Sequence, residues 1–292
     1  MGYDYIVVGA GSAGCVLANR LSEDGCSRVL LVEAGPRDNN IWLHVPAGIP
    51  RVFSHAKLNW RYYSGEEPGL NNRVLYCPRG KTLGGSSAIN GLVYIRGVPA
   101  DYDNWAQAGN RGWAWGDVLP YFRRSERQQR GADALHGDEG ELAVSDILAR
   151  HPASEALIAA GKSIGIPEND DFNGPTQDGL GFLQFTMRDG VRHSTASAFL
   201  KPARSRSNLE IRTNIHVHRI VLNGRQATGI AFYEGGVEKT ISAREVILSC
   251  GTIGSPHLML LSGIGPAEEL TSLGVEVKHD LPGVGRNLHD HV

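Results

Sequence analysis

The sequence lacks several features that would assign it to a class at once. It contains no apolar run approaching the roughly 20 residues that span a bilayer as a helix. It has no excess of either charge, because 29 Lys and Arg nearly balance 31 Asp and Glu, so it offers no basic surface for nucleic acid. Its four cysteines, Cys15, Cys26, Cys77 and Cys250, form no C-x-x-C pair. We therefore expect no transmembrane segment, nucleic-acid partner, metal site or disulfide framework.

Length and composition set the scale of the protein. A chain of 292 residues suggests about two domains, and 41% apolar with 21% charged residues is ordinary for a globular protein. The first strand-like run begins almost at Met1, so we expect no signal peptide. These features together predict a cytoplasmic protein.

The strongest local pattern lies in residues 3–35. Tyr5–Val8 is a short β-branched apolar run, typical of a strand buried on both faces. Gly9, Gly11 and Gly14 follow with the spacing G-x-G-x-x-G, which suits a tight turn, the close approach of a pyrophosphate and close packing of the next helix. The free N–H groups and positive end of that helix would face the phosphates.

A second strand is predicted at Arg28–Val32, and Glu33 stands at its carboxyl end. A carboxylate there can accept hydrogen bonds from both ribose hydroxyls of an adenosine and would repel a 2′-phosphate. Strand, glycine turn, helix and acidic residue together predict a dinucleotide site. They do not separate FAD from NAD, because both cofactors present the same adenosine diphosphate.

Two stretches after Glu33 have the composition of functional loops. Residues 36–75 show no clear period, and Trp60 and Tyr62 within them could stack on an adenine or only pack beside it. Residues 78–97 contain Gly84 and Gly85, which would let the main chain approach a planar or charged ligand.

Helices are predicted over residues 101–108, 117–127 and 153–164. In the first of them Trp105 is expected to point inward. Residues 126–141 are highly charged and rich in glycine, so we expect an exposed connection with a solvated His136.

From Leu209 the apolar period changes to two, which predicts an antiparallel meander. Its strands are expected at residues 211–213, 216–222, 227–234 and 237–242. Residues 245–249 form another apolar run that returns to the parallel sheet and ends at Cys250 and Gly251, where the backbone can meet a ligand. Ser255 is expected to cap a helix over residues 257–262, with Pro256 at its first position. The pair His216 and His218 favours a wet strand face over a metal site.

At four ordered motifs the whole chain resembles the glucose–methanol–choline (GMC) oxidoreductases. They are the amino-terminal GAGSAG with Glu33, the stretch Arg79–Gly97, the stretch GTIGSPHLMLLSGIG at residues 251–265, and PGVGRNLHDH at residues 282–291. The resemblance implies FAD as the cofactor. It also implies an α/β fold with a Rossmann-like FAD-binding domain, a parallel sheet, an antiparallel β-meander crossover and part of a second, substrate-binding α+β domain.

The resemblance also implies which segments and residues hold the cofactor. The FAD-binding core would comprise about 1–35, 76–110 and 205–292, with 36–75 and 111–204 forming loops, helices and the start of the substrate domain. Pyrophosphate and ribose would be held by Gly9, Gly11, Ser12, Ala13, Gly14, Glu33 and Ala34. The adenine side would be surrounded by Trp60, Val217, Cys250 and Gly251. The pyrophosphate and flavin ring would be lined by Arg79, Thr82, Gly84, Gly85, Ser86, Asn90, Gly91, Leu92 and Val93.

In some relatives a histidine just before the Asn bonds covalently to the flavin, and this chain has Ile89 there. The resemblance therefore implies non-covalent FAD. The sequence of residues 136–146 and 171–182 most resembles that of bacterial FAD-dependent alcohol dehydrogenases. Those enzymes use a non-oxygen acceptor such as a quinone, and they include the ones that oxidise aliphatic primary alcohols. Choline dehydrogenase is the alternative. Quinone-linked relatives imply possible peripheral attachment to the inner membrane.

In this family the proton-accepting histidine lies in an H-P-x-G-T stretch, which this sequence does not contain. The chain is therefore expected to be a fragment without the catalytic half, and no catalytic residue is assigned. A non-catalytic flavin-binding module is the alternative from another class. An NAD-dependent dehydrogenase is a weaker third, because nothing resembles a nicotinamide site.

Overall fold

The computed structural model describes residues 2–289, so Asp290 and His291 of the last motif lie outside the described residues. The chain divides into two compact units. The first comprises the residues up to Leu43, Gly48–Ile89 and the residues from Thr195 onward. The second comprises His44–Ala47 and Asn90–Ser194.

The helices and strands follow one another in a mixed α/β order. In chain order they are β1 Tyr3–Val8, α1 Ser12–Leu21, β2 Val29–Glu33, α2 Ile49–Phe53, β3 Tyr62–Glu67, β4 Arg73–Cys77, α3 Pro99–Gln107, α4 Trp115–Ser125, β5 Glu126–Gln128, β6 Leu142–Val144, α5 Pro152–Ser163, β7 Met187–Arg188, β8 Val191–Arg192, α6 Lys201–Ala203, β9 Leu209–Thr213, β10 Val217–Asn223, β11 Gln226–Glu234, β12 Val237–Leu248, α7 Gly251–Leu261, β13 Ile264–Gly265, α8 Ala267–Ser272 and β14 His279–Asp280.

The first unit is built on a six-stranded sheet with the order β10-β11-β12-β1-β2-β9. β1 pairs in parallel with β12 and β2, and β2 pairs in parallel with β9. β10, β11 and β12 pair antiparallel. The predicted α/β fold with a parallel sheet and an antiparallel meander is confirmed. The carboxyl ends of β1, β2 and β12 meet at one edge of the sheet, which is where ligands bind in open α/β sheets.

The apolar runs of β1 and β2 form the centre of the core. Ile6, Val8, Leu30 and Val32 are 0 to 3% exposed and pack against the meander, including Ile230. Strands covered on both faces can be apolar throughout, which is why these runs do not alternate with polar residues.

One expectation for the meander was wrong in detail. Residues 237–242 and 245–249 belong largely to one continuous strand, β12. Its first half pairs antiparallel with β11 up to Ser242, and its second half pairs in parallel with β1 from Ala243. No glycine or proline interrupts the strand, so it passes from one partner to the other without a turn.

The helix predicted to begin after Ser255 begins earlier, at Gly251, as α7. Pro256 lies inside this helix, and Ser255 Oγ accepts a hydrogen bond from Cys250 N at 3.1 Å instead of capping a new helix. Ser-Pro is a good helix start by local preference, but α7 begins before it and packs against β10.

The helix predicted over residues 101–108 is α3, Pro99–Gln107, but Trp105 is not directed into the core. Its side chain is 49% exposed and packs edge-on against Trp113, with ring centroids 5.8 Å apart. Tyr102 is the buried aromatic residue of this helix. The helical period alone did not distinguish which of two aromatic residues faces inward.

The largest correction concerns the charged residues 126–141. His136 is 3% exposed and Glu126 is fully buried. Glu126 Oε2 lies 2.7 Å from Arg96 Nη2, and the two ring nitrogens of His136 lie 3.0 Å from Glu126 Oε1 and 2.9 Å from Asp171 Oδ2. These four residues form a charge network in the second unit, in which two cations alternate with two carboxylates; Arg96, Glu126 and His136 are buried, and Asp171 is partly exposed. The predicted solvated histidine is therefore wrong.

None of the helices within residues 2–289 combines the length and the apolar character needed to cross a membrane. The described residues also contain no group of three or more His, Cys, Asp or Glu side chains arranged to hold a metal ion.

Candidate functional site

A cavity of about 580 Å³ lies at the carboxyl edge of the parallel strands in the first unit. This volume is within the range of small-molecule and cofactor sites. It brings together many residues that lie far apart in the sequence. The residues singled out from the sequence that line it are Gly9, Gly11, Ser12, Ala13, Glu33, Ala34, Trp60, Arg79, Gly85, Ser86, Val217, Cys250 and Gly251.

Three further residues predicted from the sequence do not line the cavity, but each contacts backbone close to it. Thr82 is fully buried, and its Oγ1 donates a hydrogen bond to Pro36 O at 2.9 Å. Gly84 N donates to Ala10 O at 2.8 Å. Gly14 lies against the turn at Gly9, as described next.

Close backbone packing holds the glycine turn in place. A Cβ atom on Gly14 would stand 1.9 Å from Gly9 O, and one on Gly85 would stand 2.6 Å from Gly11 Cα. Gly85 also has a φ of +52°, in the left-handed region. The second glycine-rich stretch therefore packs directly on the first, and both leave main chain exposed toward the cavity.

The amino terminus of α1 opens into this cavity. Its N-cap residue is Gly11, and no side chain caps the helix. A Cβ atom on Gly11 would make only ordinary van der Waals contacts, at 3.9 Å from both Gly85 Cα and Ser249 O. Uncapped N–H groups and the positive end of the helix dipole give a site suited to an anion such as phosphate.

Glu33 is the buried carboxylate of the site, with 6% of its surface exposed. Its Oε2 accepts a hydrogen bond from Ala10 N and its Oε1 accepts one from Gly35 N, each at 2.9 Å. Burial raises the pKa of this carboxyl, and the backbone N–H groups act in the opposite direction. Each oxygen keeps lone-pair capacity for a further donor, so the group can accept bonds from two adjacent hydroxyls.

An aromatic wall closes another side of the cavity. Trp60 and Tyr62 stack with ring centroids 5.8 Å apart and planes 7° apart, and Lys81 Nζ lies 4.2 Å from the centroid of Trp60. Both aromatic residues line the cavity while packing on each other. The sequence left stacking on an adenine and packing alone as alternatives. The structure shows that the two rings pack on each other, and stacking on an adenine stays a prediction.

Sequence reasoning missed several residues at the end of β12 and the start of α7. Ser249 Oγ donates to Gly9 O at 2.7 Å, which ties the end of β12 to the glycine turn. His257 of α7 also lines the cavity, together with His216, which directly precedes β10 and was expected on a wet strand face. The pKa of His216 is lowered, mainly by burial and to a smaller extent by the charge of Lys81. The position of Ser249 at the carboxyl end of a parallel strand was the signal that could have revealed it.

Cys250 lines the cavity but is not disposed to act as a nucleophile. Burial raises the pKa of its thiol to about 12, and its Sγ lies 3.2 Å from Val8 O as a donor. A thiol, unlike a thiolate, is a poor nucleophile near neutral pH.

The predicted residues Asn90, Gly91, Leu92 and Val93 belong to the second unit. Asn90 is solvent-exposed, and Leu92 is buried with a φ of +64°. Ile89, which precedes them, is 2% exposed and packs in the first unit against Leu43, Val52 and Leu58.

Comparisons with known proteins agree on one family. The sequence model of the family described as GMC oxidoreductase matches residues 3–292. An alcohol dehydrogenase [acceptor] from Pseudomonas putida is 48% identical over 99% of this chain and 53% of its own length. An oxygen-dependent choline dehydrogenase from Photobacterium profundum is 45% identical over 99% of this chain and 52% of its own length.

Solved structures likewise match nearly all of this chain and about half of their own length. Pyridoxine 4-oxidase from Mesorbium loti superimposes with a TM-score of 0.95 at 37% identity, over 99% of this chain and 57% of that protein. A formate oxidase superimposes with a TM-score of 0.91 at 32% identity, over 99% of this chain and 52% of that one. The chain thus spans about half the length of the relatives it matches.

Proposed function

Because the chain belongs to the GMC oxidoreductase family, we propose that it binds FAD without a covalent bond and takes part in the oxidation of an aliphatic primary alcohol to an aldehyde. The observation that carries the proposal is Glu33, a buried carboxylate beside an uncapped helix terminus in one cavity. Adjacent acceptor and phosphate sites suit the adenosine diphosphate part of a dinucleotide. When bound, FAD supplies a ring that accepts a hydride from the alcohol carbon.

The residues present fit this cofactor. Gly11, Ser12 and Ala13 line the cavity at the helix terminus and would hold the pyrophosphate. Glu33 would accept both ribose hydroxyls, and Trp60 with Val217 would flank the adenine. We assign Arg79, Ser86 and the segment 90–93 to the flavin side on the strength of the family resemblance.

Non-covalent attachment is supported by Ile89. Its side chain is a hydrocarbon packed in an apolar cluster, and it carries no atom that could form a bond to a flavin. A flavin that remains with the protein after acid precipitation would contradict this part of the proposal.

For the electron acceptor we propose a compound other than oxygen, such as a quinone. Similarity to the Pseudomonas putida protein named alcohol dehydrogenase [acceptor] supports this choice. A quinone acceptor would place the protein at the cytoplasmic face of the inner membrane, as a peripheral protein. Choline oxidation is the second candidate, because relatives named choline dehydrogenase are nearly as similar, at 45 to 46% identity.

We assign cofactor binding to this chain and no catalytic base to its histidines. His216 lines the cavity, and partial burial together with the charge of Lys81 lowers its pKa. The family resemblance gives its position no role in proton transfer. A flavin-binding module without activity of its own is the alternative function.

Mutation of Glu33 tests the dinucleotide site. The Glu33→Gln variant is expected to bind FAD and ADP about 100-fold more weakly, because bonds from two hydroxyls to a charged acceptor are each worth about 1.5–3 kcal/mol. The amide would also set an NH₂ group against Ala10 N or Gly35 N, both of which are donors. Titration calorimetry with ADP measures the loss. Glu23→Gln on the surface is the control, and equal affinities in the Glu33 variant and the wild type would refute the site.

The reaction is tested by the visible spectrum of the chain with FAD, before and after anaerobic addition of 1-octanol or choline. Binding is expected to shift the flavin bands, and neither alcohol is expected to bleach them, because no base is assigned to these residues. Bleaching by octanol alone would show that a residue of this chain accepts the proton and would favour the aliphatic substrate. Bleaching by choline alone would favour the second candidate.

A further inference from the structure

We propose that the tip of the α3–α4 hairpin docks on the headgroup region of a bilayer that contains anionic lipid. The tip comprises residues 105–113, from the end of α3 to the connection before α4, and lies within the second unit. The inference rests on the peripheral attachment proposed above and names the surface that would make it. It uses no residue of the cofactor cavity.

The connection between the two helices projects into solvent. Residues 107–113 are exposed without exception. A Cβ atom added at Gly109 or at Gly112 would meet no other atom of the described chain within 4 Å. The tip is therefore not covered by any part of the chain that the structure describes.

Both ends of this connection are fixed by hydrogen bonds. Asn110 Nδ2 donates to Trp105 O at 3.0 Å, which ties the connection to the last turn of α3. Trp115 N donates to Asp103 Oδ1 at 2.9 Å, which ties the start of α4 to α3. A connection held at both ends loses little conformational freedom when it binds, so the tip is preorganised for a contact.

Two tryptophan rings are presented together at the tip. Trp105 is 49% exposed and Trp113 is 52% exposed, and their rings meet edge to face. On its inner side Trp105 packs against the buried Tyr102, with ring centroids 5.4 Å apart. The pair is thus anchored on one side and open on the other. Tryptophan combines an apolar ring with a polar N–H group and is enriched at the headgroup level of membranes.

The charge beside these rings is positive. Arg111 is the one charged residue of the segment 104–116. It is exposed and forms no ion pair with the residues that the structure describes. The nearest carboxylates in the sequence already accept hydrogen bonds from backbone N–H groups at the amino ends of α3 and α4; they are Asp101, Asp103 and Asp117. The guanidinium of Arg111 is therefore available to the phosphate of an anionic headgroup.

These features favour a lipid surface over a protein partner. The exposed apolar area of the tip comes mainly from two rings, whereas a stable protein interface buries roughly 800 Å² on each side. Two interfacial rings and a cation suit shallow insertion among headgroups, which needs no complementary groove. One small contact of this kind gives weak, reversible binding that increases with anionic lipid and decreases with salt.

The test is co-sedimentation of the chain with vesicles made of phosphatidylglycerol and phosphatidylcholine in equal amounts. Binding to pure phosphatidylcholine is expected to be at least about 10-fold weaker, and binding to the mixed vesicles should fall as NaCl is raised to about 0.5 M. Tryptophan fluorescence should shift to shorter wavelength with the mixed vesicles, because the two rings leave water. ADP affinity, which the first unit determines, should be the same with and without vesicles.

Two variants test the tip separately for charge and for apolar contact. Arg111→Glu reverses the charge without breaking an ion pair within the described residues, and should weaken binding to the mixed vesicles at least about 10-fold. Trp113→Ser removes the outer ring and keeps the contact of Trp105 with Tyr102. It should weaken binding to both kinds of vesicle and reduce the fluorescence shift, with thermal stability close to that of the wild type.

Arg188→Glu and Leu157→Ser are the matched controls, because they change an exposed arginine and an exposed leucine elsewhere in the second unit. Both should bind the mixed vesicles as the wild type does.

The outcomes separate this inference from the proposals on which it rests. Wild-type binding by both Arg111→Glu and Trp113→Ser would overturn the role of the tip and leave peripheral attachment to another surface. A wild-type chain that binds neither kind of vesicle would overturn both. Self-association without lipid that Trp113→Ser abolishes would identify the tip as a contact between copies and would overturn docking on lipid. Vesicle binding without ADP binding would support the tip and contradict only the cofactor site.

Discussion

Replacement of Gly14 by alanine is expected to weaken ADP and FAD binding at least 100-fold and to lower the free energy of unfolding by about 3 kcal/mol, the upper end for overpacking. The added methyl group would stand 1.9 Å from Gly9 O and 2.8 Å from Ser249 Oγ. Backbone at Gly9 cannot yield independently, because Gly9 N is bonded to Val32 O at 2.8 Å. Helix α1 would have to move away from β1, taking its amino terminus out of the cavity.

Urea unfolding and ADP titration of Gly14→Ala measure the two effects. Gly116→Ala in α4 is the matched control, since a Cβ there meets no atom within 4 Å. Alanine is the better helix former by about 1 kcal/mol, so this control should be as stable as the wild type or more so, with ADP binding unchanged. If Gly14→Ala kept wild-type ADP affinity, close packing of α1 on the strand would not be what forms the site.

Replacement of Glu126 by alanine is expected to lower the free energy of unfolding by about 3–5 kcal/mol, as when one partner of a buried ion pair is removed. Glu126 is fully buried and contacts both Arg96 and His136, so its loss leaves two buried cations without their shared carboxylate. Chemical denaturation at pH 7 measures the change. Glu168→Ala, which breaks an exposed pair with Lys162, should cost less than about 1 kcal/mol.

The same network predicts how stability depends on pH. Hydrogen bonds to Asp171 and then Glu126 raise the pKa of His136 from 6.5 to about 9. A raised pKa means that the protonated histidine stabilises the folded state; the contribution is complete below pH 6.5 and is lost as pH rises through 9. A shift of this size corresponds to about 3 kcal/mol. Unfolding at about pH 6 and about pH 10 should show the loss in the wild type and a much smaller one in His136→Gln. An equal loss in both would assign the pH dependence to another group.

Much of the fold and of the site could be predicted from local patterns. The β-branched run before Gly9, the glycine spacing and the acidic residue after the second strand each describe contiguous residues, and the structure places all three at one cavity. Apolar alternation from Leu209 predicted the meander for the same reason. These patterns report backbone conformation, which depends mainly on near neighbours.

Burial of polar groups was not predictable in this way. His136 lies among charged residues that are typical of a solvated loop, yet its two partners are 10 and 35 positions away, and Arg96 is 30 positions from Glu126. Asn90 and Arg192 are 102 positions apart. A charged group is stable inside a protein only where partners converge on it, and that convergence is a property of the folded chain.

The sequence by itself thus determined the strand–turn–helix unit, the sheet class and the presence of a carboxylate at the end of the second strand. Only the tertiary structure decided that Glu33 is buried between two backbone donors, that Ser249 closes the glycine turn and that Arg192 donates a hydrogen bond to Asn90. The physical reason is the distance along the sequence over which each effect acts. Steric limits on the backbone and the apolar period act over a few residues, whereas desolvation and hydrogen-bond geometry depend on groups that folding brings together from distant parts of the chain.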